Sequence, residues 1–346
     1  MNDRKIPIAN IYYLLCYAWN HVDERDVVRL EELEGLEKVH DLLGKVLAEG
    51  TFRLIRRGID RGYRELREDL AGIRGKIAVG ETAKRALLVR GQVACDFEEL
   101  SHDVLHNRIL RSTLRSLLRL KDLHSGVRAQ VRNAYSKLDG VSVVPLHSRL
   151  FRQVHIDRNR RYYRFLLSVC RLIHEQLLVD ERSGQATFSD FSEERMEKLY
   201  EDFIIGFYRR EQDRYRVNHR GRTIAWVDEG TPDHQRSKLP RMEADVILEA
   251  PERRIIMDAK YYREAFGGRY GGKLHSNNLY QLMAYVRNRE ATEATGPKHE
   301  GILLYPTVEA PVAADVHLEG FPIRARSIDL SQDWRNIHDD MLALIA

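Results

Sequence analysis

The sequence predicts an α/β chain of two domains: a first domain mixing helices with short strands, and a second built on a central mixed sheet flanked by helices. Three observations carry this expectation. The 346 residues exceed the roughly 250 that one core organises. Helix-period apolar segments alternate with short apolar runs bounded by glycine or proline, the pattern of layered α/β structure. Towards the C-terminus the order reads helix, two strands joined by a tight turn, helix, strand. Ser183-Gly184-Gln185 reads as the seam, dividing 1–185 from 186–346.

The elements follow in order. Asn10 is placed to cap a helix whose stripe is Ile11, Leu14, Leu15, Ala18 and Trp19, thickened by Tyr12, Tyr13 and Tyr17. Val39 to Leu54 repeats the helical period, with Gly50 as a weak point. Glycines 58, 62, 72, 75, 80 and 91 then punctuate short apolar pieces, among them Lys76–Val79 and Ala86–Val89, predicting strands and turns. Gly72-Ile-Arg-Gly-Lys76 lacks the following helix start that a phosphate cradle needs. Asp103 to Lys121 and Asn159 to Leu178 read as helices, separated by Pro145 and a mixed stretch.

Charge is distributed unevenly. The net is only +4, yet 107–164 holds 14 Lys and Arg against 3 Asp. Arg108, Arg111, Arg115 and Arg119 recur at helical spacing as one basic stripe. Such a face suits a polyanion or an acidic protein, and equally a solvated helix surface. No apolar run approaches the roughly 20 residues that cross a bilayer. No signal-like segment follows Met1. Cys16, Cys95 and Cys170 are too scattered for a disulfide framework or a thiol metal site. A cytoplasmic chain without membrane association is expected.

The chemistry lies beyond residue 192. Glu193 to Arg210 is a predicted helix with Glu197 and Glu201 one turn apart. Glu197 reads as exposed. Two predicted strands, Arg241–Leu248 and Arg254–Tyr262, are joined by a turn at Pro251. Asp258 and Lys260 are polar residues inside an apolar run, and period two puts them on one face. Burying them is costly unless something pairs with them. Asp245 brings a second carboxylate from the neighbouring strand. Two such carboxylates suit Mg²⁺, with the carbonyl of Ala259 as a third protein ligand. Lys260 would then act on the attacking water or the phosphate. Glu243 shares the face of Asp245 by alternation and could line the site, but a solvated strand end is the better reading. Gln281 and Tyr285 fall at i, i+4 on the next predicted helix. Gly267–Lys273 nearly spells a P-loop, but Leu274 stands where Ser or Thr must hold Mg²⁺, so no nucleotide is expected there.

Asp245, a dozen residues, then Asp258-x-Lys260 across a hairpin resembles the PD-(D/E)xK nuclease core, with Ala244 in place of the leading proline. Gln281-x-x-x-Tyr285 is similar to the motif of its RecB-like branch. Glu201 matches the acidic residue that many of these nucleases present near the metal. Across the whole chain, Asn10–Trp19, Gly72–Lys76, Asn107–Leu110, Arg161–Phe165, Leu199–Phe203, Met257–Tyr262 and Asn278–Tyr285 resemble the McrC family of McrBC-type modification-dependent restriction systems.

That resemblance implies an Mg²⁺-dependent DNA endonuclease with Asp245, Asp258, Lys260, Gln281, Tyr285 and Glu201 in its site. It implies an McrB-like hexameric AAA+ partner, which binds GTP and reads the modified cytosine in double-stranded DNA. Residues 1–185 would engage and stimulate the GTPase ring, and 186–346 would cut. The glycine-punctuated stretch from Arg56 to Gly91 is the expected protrusion, with the arginine stripe second. A free-standing RecB-like repair nuclease is the alternative, and a non-catalytic activator of an ATPase a third reading. A neighbouring GTPase separates the first from the others, and metal-dependent DNA cleavage separates the first two from the third.

Overall fold

A computed structural model describes residues 6–23, 33, 35–157, 160–179, 186–189, 191–218, 223–228, 230–261, 274–293, 295–307 and 311–346. The seam at 183–185 and the glycine-rich loop 267–273 lie outside them. The chain divides into two units, Lys38–Ser189 and the pair Met1–Glu37 with Asp190–Ala346. The opening segment therefore groups with the C-terminal residues, not with those that follow it.

Packing explains that grouping. Helix α1 (Ile8–Ala18) lies so close to the helix carrying Gly206 that a Cβ there would overlap the Tyr17 carbonyl. The Tyr17 ring sits 5.4 Å from Phe207 and 5.9 Å from Phe203. Asn10 is no cap: the helix starts two residues earlier, after Pro7. Its buried amide instead donates to the carbonyls of Leu330 and Gln332, at 2.8 and 2.9 Å.

In the unit Lys38–Ser189, α2 (Val39–Arg57) buries Leu42, Leu43, Val46, Leu47 and Leu54. It runs unbroken through Gly50, where any side chain would overlap Leu166; the glycine serves close helix packing. Then come β1 (Gly62–Leu70), β2 (Lys76–Ile77), α3 (Val79–Lys84), a 3₁₀ turn over Leu87–Arg90 and β3 (Val93–Ser101). The strands form an antiparallel sheet in the order β1-β3-β2. The strand expected at Ala86–Val89 is absent because Ala86 is left-handed, with φ 48°, and starts the 3₁₀ turn. Gly75 is obligatory at φ 69°, since a Cβ would overlap the Asp96 carbonyl.

Helices α4 (Leu105–Leu117), α5 (Ser125–Lys137), α6 (Ser148–Gln153) and α7 (Arg161–Gln176) follow, then the short pair β4 (Leu177–Val179) and β5 (Ala186–Phe188). The two expected helices are shorter than predicted; α6 lies in the stretch read as mixed, and α5 precedes Pro145, where no helix was expected. The arginine stripe is not one free surface. Arg108 makes a two-pronged bond to Asp103. Arg111 donates to the Val141 carbonyl and lies over the Tyr135 ring.

The second unit continues with α8 (Glu193–Arg210), capped by the Ser192 hydroxyl, then β6 (Arg216–Asn218), β7 (Thr223–Ile224), α9 (Asp233–Arg236), β8 (Met242–Glu243), β9 (Val246–Glu249) and β10 (Arg254–Ala259). It ends with α10 (Ser276–Thr292), β11 (His299–Pro306), β12 (Ala313–Leu318), β13 (Phe321–Ile328) and α11 (Trp334–Ala343). The six-stranded sheet runs β12-β13-β11-β10-β9-β6. The β10–β11 and β11–β13 pairings are parallel, and the β12–β13, β10–β9 and β9–β6 pairings are antiparallel. Helix α10 is the crossover that parallel β10 and β11 require. Its Leu282 and Val286 are fully buried against Ile256, Leu303 and Ile323. No described helix is long and apolar enough to cross a membrane.

Candidate active site

The predicted site residues meet at the C-terminal end of β10. The first expected strand breaks at Ala244-Asp245, because Met242–Glu243 pairs with β7 while Val246–Glu249 pairs with β10. The break turns Asp245 towards β10, where its Oδ2 accepts the Ala259 N–H at 2.7 Å. Alternation along β10 sets Asp258 and Lys260 on one face, and Lys260 Nζ lies 2.8 Å from Asp258 Oδ2. The Lys260 N–H extends the ladder by donating to the Leu304 carbonyl at 2.9 Å.

Helix α10 adds Gln281, whose Nε2 donates to the Tyr285 hydroxyl at 2.7 Å. Burial raises the Tyr285 phenol, and the negative charges of Asp258 and Asp245 add to that rise. Helix α8 contributes Glu201, part-buried and 3.2 Å from Lys198. Its charge acts on both aspartates. Glu197 was expected to be exposed but is half-buried, and its charge also reaches Asp258. The signal was available: at i, i+4 from Glu201, it shares that residue's face. Glu243 is exposed beside Arg241, since the strand break ends the alternation that would have turned it inward.

The electrostatics are those of a site short of positive charge. Burial drives Asp245 up to about 7, helped by the charges of Asp258 and Glu201. Burial likewise raises Asp258, against the opposing pull of Lys260. Asp258 is only 1% exposed, and its Oδ2 makes no hydrogen bond beyond the Lys260 ion-pair contact. Two carboxylates raised by burial at one strand end, one of them held by Lys260, suit a hard divalent cation. Among the described residues no three His, Cys, Asp or Glu side chains converge as a metal cluster. The available donors are two aspartates and main-chain oxygen. Tyr262, the last residue of the β10 motif, lies outside the described residues.

Residues 10–306 match the family described as McrBC 5-methylcytosine restriction system component. The chain is 36% identical over 345 residues to the type IV methyl-directed restriction enzyme EcoKMcrBC of Escherichia coli K12, covering 99% of this chain and 98% of that one. Its fold resembles a chain from the Thermococcus gammatolerans assembly of McrB AAA+ hexamers with bound McrC. The TM-score there is 0.62 at 18% identity, over 98% of this chain and 76% of the other. On the extent of the family match and of the identity to the Escherichia coli enzyme, the chain belongs to the McrBC restriction-system family.

Proposed function

We propose that this chain is the DNA-cutting subunit of a GTP-dependent, modified-cytosine-directed restriction complex. The observation that carries the reading is the convergence of Asp245, Asp258 and Lys260 on one strand end, faced by Glu201, Gln281 and Tyr285. Asp245, Asp258 and the Ala259 carbonyl would hold Mg²⁺. When bound, the ion supplies Lewis acidity and lowers the pKa of a bound water. Lys260 carries a positive charge to where negative charge develops on the phosphate and holds the attacking water. Gln281 and Tyr285 orient the scissile strand. The hairpin and helix fit a PD-(D/E)xK nuclease unit.

The partner reading rests on the relatives. The Thermococcus assembly places McrC with McrB AAA+ hexamers, and a ring of that kind would bind GTP and read the modified base for this chain. The unit Lys38–Ser189 is its docking unit. Around its three-stranded sheet, large hydrophobic residues are unusually exposed: Tyr63 76%, Ile73 71%, Val79 70%, Leu88 69% and Val89 88%. An apolar rim of that kind marks an interaction surface. The arginine stripe is the weaker candidate, because Arg108 and Arg111 are already engaged.

The test is reconstitution. Full-length chain with its GTPase partner should cut modified DNA only with GTP and Mg²⁺ together, and should raise GTP hydrolysis. Specific cutting by this chain alone would favour a free-standing nuclease instead. Stimulated GTP hydrolysis without any cutting would leave a non-catalytic activator.

A further inference from the structure

Where α2 ends and α7 begins, the chain gathers arginine. Residues 50–61 and 157–164 hold eight arginines, no lysine and two acidic residues, Asp60 and Asp157. Packing brings the two segments together. Gly50 meets Leu166, and further along α2 both Arg53 and Arg57 lie over the Tyr162 ring, 5.5 and 5.4 Å from its centre. Advancing along α2 thus means going back along α7. The helices are antiparallel, and the last turn of α2 meets the first turn of α7.

The cluster is held in place and short of counter-charge. The Tyr162 hydroxyl donates to the Gly50 carbonyl at 3.1 Å, which fixes the buried ring under the two guanidiniums. Asp60 is taken by Arg160 and His106. Glu49, just upstream, turns to Gln130 of α5 at 3.4 Å. Arg53, Arg56 and Arg57 make no ion pair among the described residues, and Arg56 and Arg57 are exposed. Stability alone gives no reason for this arrangement. Arg53 and Arg57 stand at i, i+4, where like charges repel, and one guanidinium would suffice for the ring. The helix ends supply no net compensation either: α2 brings its negative end and α7 its positive one.

We infer that the arginine cluster at the junction of α2 and α7 grips the phosphate backbone of DNA, through residues that take no part in cutting. Two features favour DNA over an acidic protein. The cluster is arginine throughout, and the planar fork takes phosphate oxygens two at a time. It also lacks the apolar core of a protein interface. The large hydrophobic residues exposed in this unit all fall between 63 and 100, in the sheet and its turns. Guanidiniums already seated on a ring lose less freedom when phosphate binds. The inference goes beyond the nuclease reading, because phosphate binding needs neither Mg²⁺ nor cleavage. It gives the unit Lys38–Ser189 a second role beside docking to the ring.

The experiment uses the full-length chain in EDTA, so that DNA stays intact, and a labelled duplex titrated at several salt concentrations. Replacing Arg56 and Arg57 together by Gln should lower the salt slope of binding by about 2, one for each phosphate contact. Arg56→Gln alone should lower it by about 1, and as a change at an exposed side chain it keeps the test readable if circular dichroism shows the double variant unfolded. Arg171→Gln is the control: Arg171 lies on α7 but is paired with Glu175 at 2.8 Å, so the slope should hold. An unchanged slope in the Arg56 variants overturns the inference. So does an equal loss at Arg171, which would mark a general effect of charge. So does an Arg56→Gln chain that keeps its slope but no longer stimulates GTP hydrolysis in the reconstituted complex, because the cluster would then face the protein partner. The nuclease reading fails separately, if Asp258→Ala still cuts in that complex.

Discussion

Asp103, in the unit Lys38–Ser189, and Asp245, in the other, are carboxylates that the fold treats in opposite ways. Asp103 is 6% exposed, and burial alone would raise it. The Arg108 guanidinium and the N–H and hydroxyl of Ser142 outweigh burial and hold it down to about 2. For Asp245, burial and the negative charges of Asp258 and Glu201 outweigh the Ala259 N–H and the charge of Lys260, and it rises to about 7. The first carboxylate is satisfied and contributes to stability. In the second, burial and like charge win, a cost that makes sense where a cation is to be bound.

Asp103 belongs to a larger polar mount beneath the three-stranded sheet. Asn107 donates to the carbonyls of Asp60 and His102 and accepts from the Tyr163 hydroxyl, which also accepts the Asp60 N–H. His106 and Arg160 reach the Asp60 carboxylate. This network gives Asn107, Arg108 and Tyr163 a structural role in a segment with no catalytic residue. They fix where β1 begins and β3 ends.

The largest expected effect tests the unsatisfied pole. Asp258→Ala or Asp245→Ala should leave the fold intact yet lower cleavage on the order of a thousandfold, the scale of several kcal/mol of metal-borne stabilisation. Lys260→Ala should also abolish turnover but spare Mg²⁺ binding, because the ammonium acts on water and phosphate. Calorimetry separates the two. Parallel loss of metal affinity in Lys260→Ala and Asp258→Ala would make Lys260 an organiser of the ligands.

The satisfied pole should respond in stability instead. Asp103→Ala strands Arg108 and leaves the Ser142 N–H unpaired, at a cost of about 3 kcal/mol. Urea denaturation reads the loss. A change below 1 kcal/mol would mean that the network is ornamental to the fold.

The two carboxylates should also pull stability in opposite directions with pH. Asp103 has a depressed folded pKa, so its contribution, roughly 2–3 kcal/mol, is present above about pH 4 and lost as pH falls towards 2. Asp245 has a raised one: between about pH 4 and 7 the unfolded chain ionises first, and stability falls as pH rises. Asp245→Asn should therefore stabilise the metal-free protein at pH 8 by roughly 1–3 kcal/mol and do nothing at pH 3. Added Mg²⁺ should raise the parent's melting temperature more at pH 8 than at pH 6, since protons compete for the same oxygens. The reverse order would exclude Asp245 as a ligand.

Much of this was legible in sequence because both units state their periods clearly. The stripes of α4, α7 and α8 and the alternation around Asp258 and Lys260 are local properties. What escaped depends on distant partners. Asn10 looks like a cap until the Leu330 and Gln332 carbonyls arrive from the other end of the chain. Gly50 looks like a breaker until Leu166 packs on it. Helix α5 buries only Val127, Val131 and Ala134, too thin a stripe to read against its polar neighbours. The strand break that aims Asp245 is set by pairing with β7, which no window around Asp245 contains.

The arginine stripe repeats the satisfied-versus-unsatisfied contrast within one helix and its C-terminal turn, and it carries the smallest expected effect. Arg108 and Arg111 are bound internally, whereas Arg115 and Arg119 are exposed and make no ion pair among the described residues. Helical spacing makes the four look alike. Arg115→Gln and Arg119→Gln should each change stability by less than about 0.5 kcal/mol. If this face grips DNA, each should lower the salt slope of binding by about 1. Arg108→Gln should leave that slope unchanged, because its charge is already neutralised by Asp103, and should lose stability instead. Titrating DNA affinity against salt for the three variants makes the comparison. An equal slope change at Arg108 would show that its pairing with Asp103 opens on binding, and would return the whole stripe to the DNA-facing surface that its spacing first suggested.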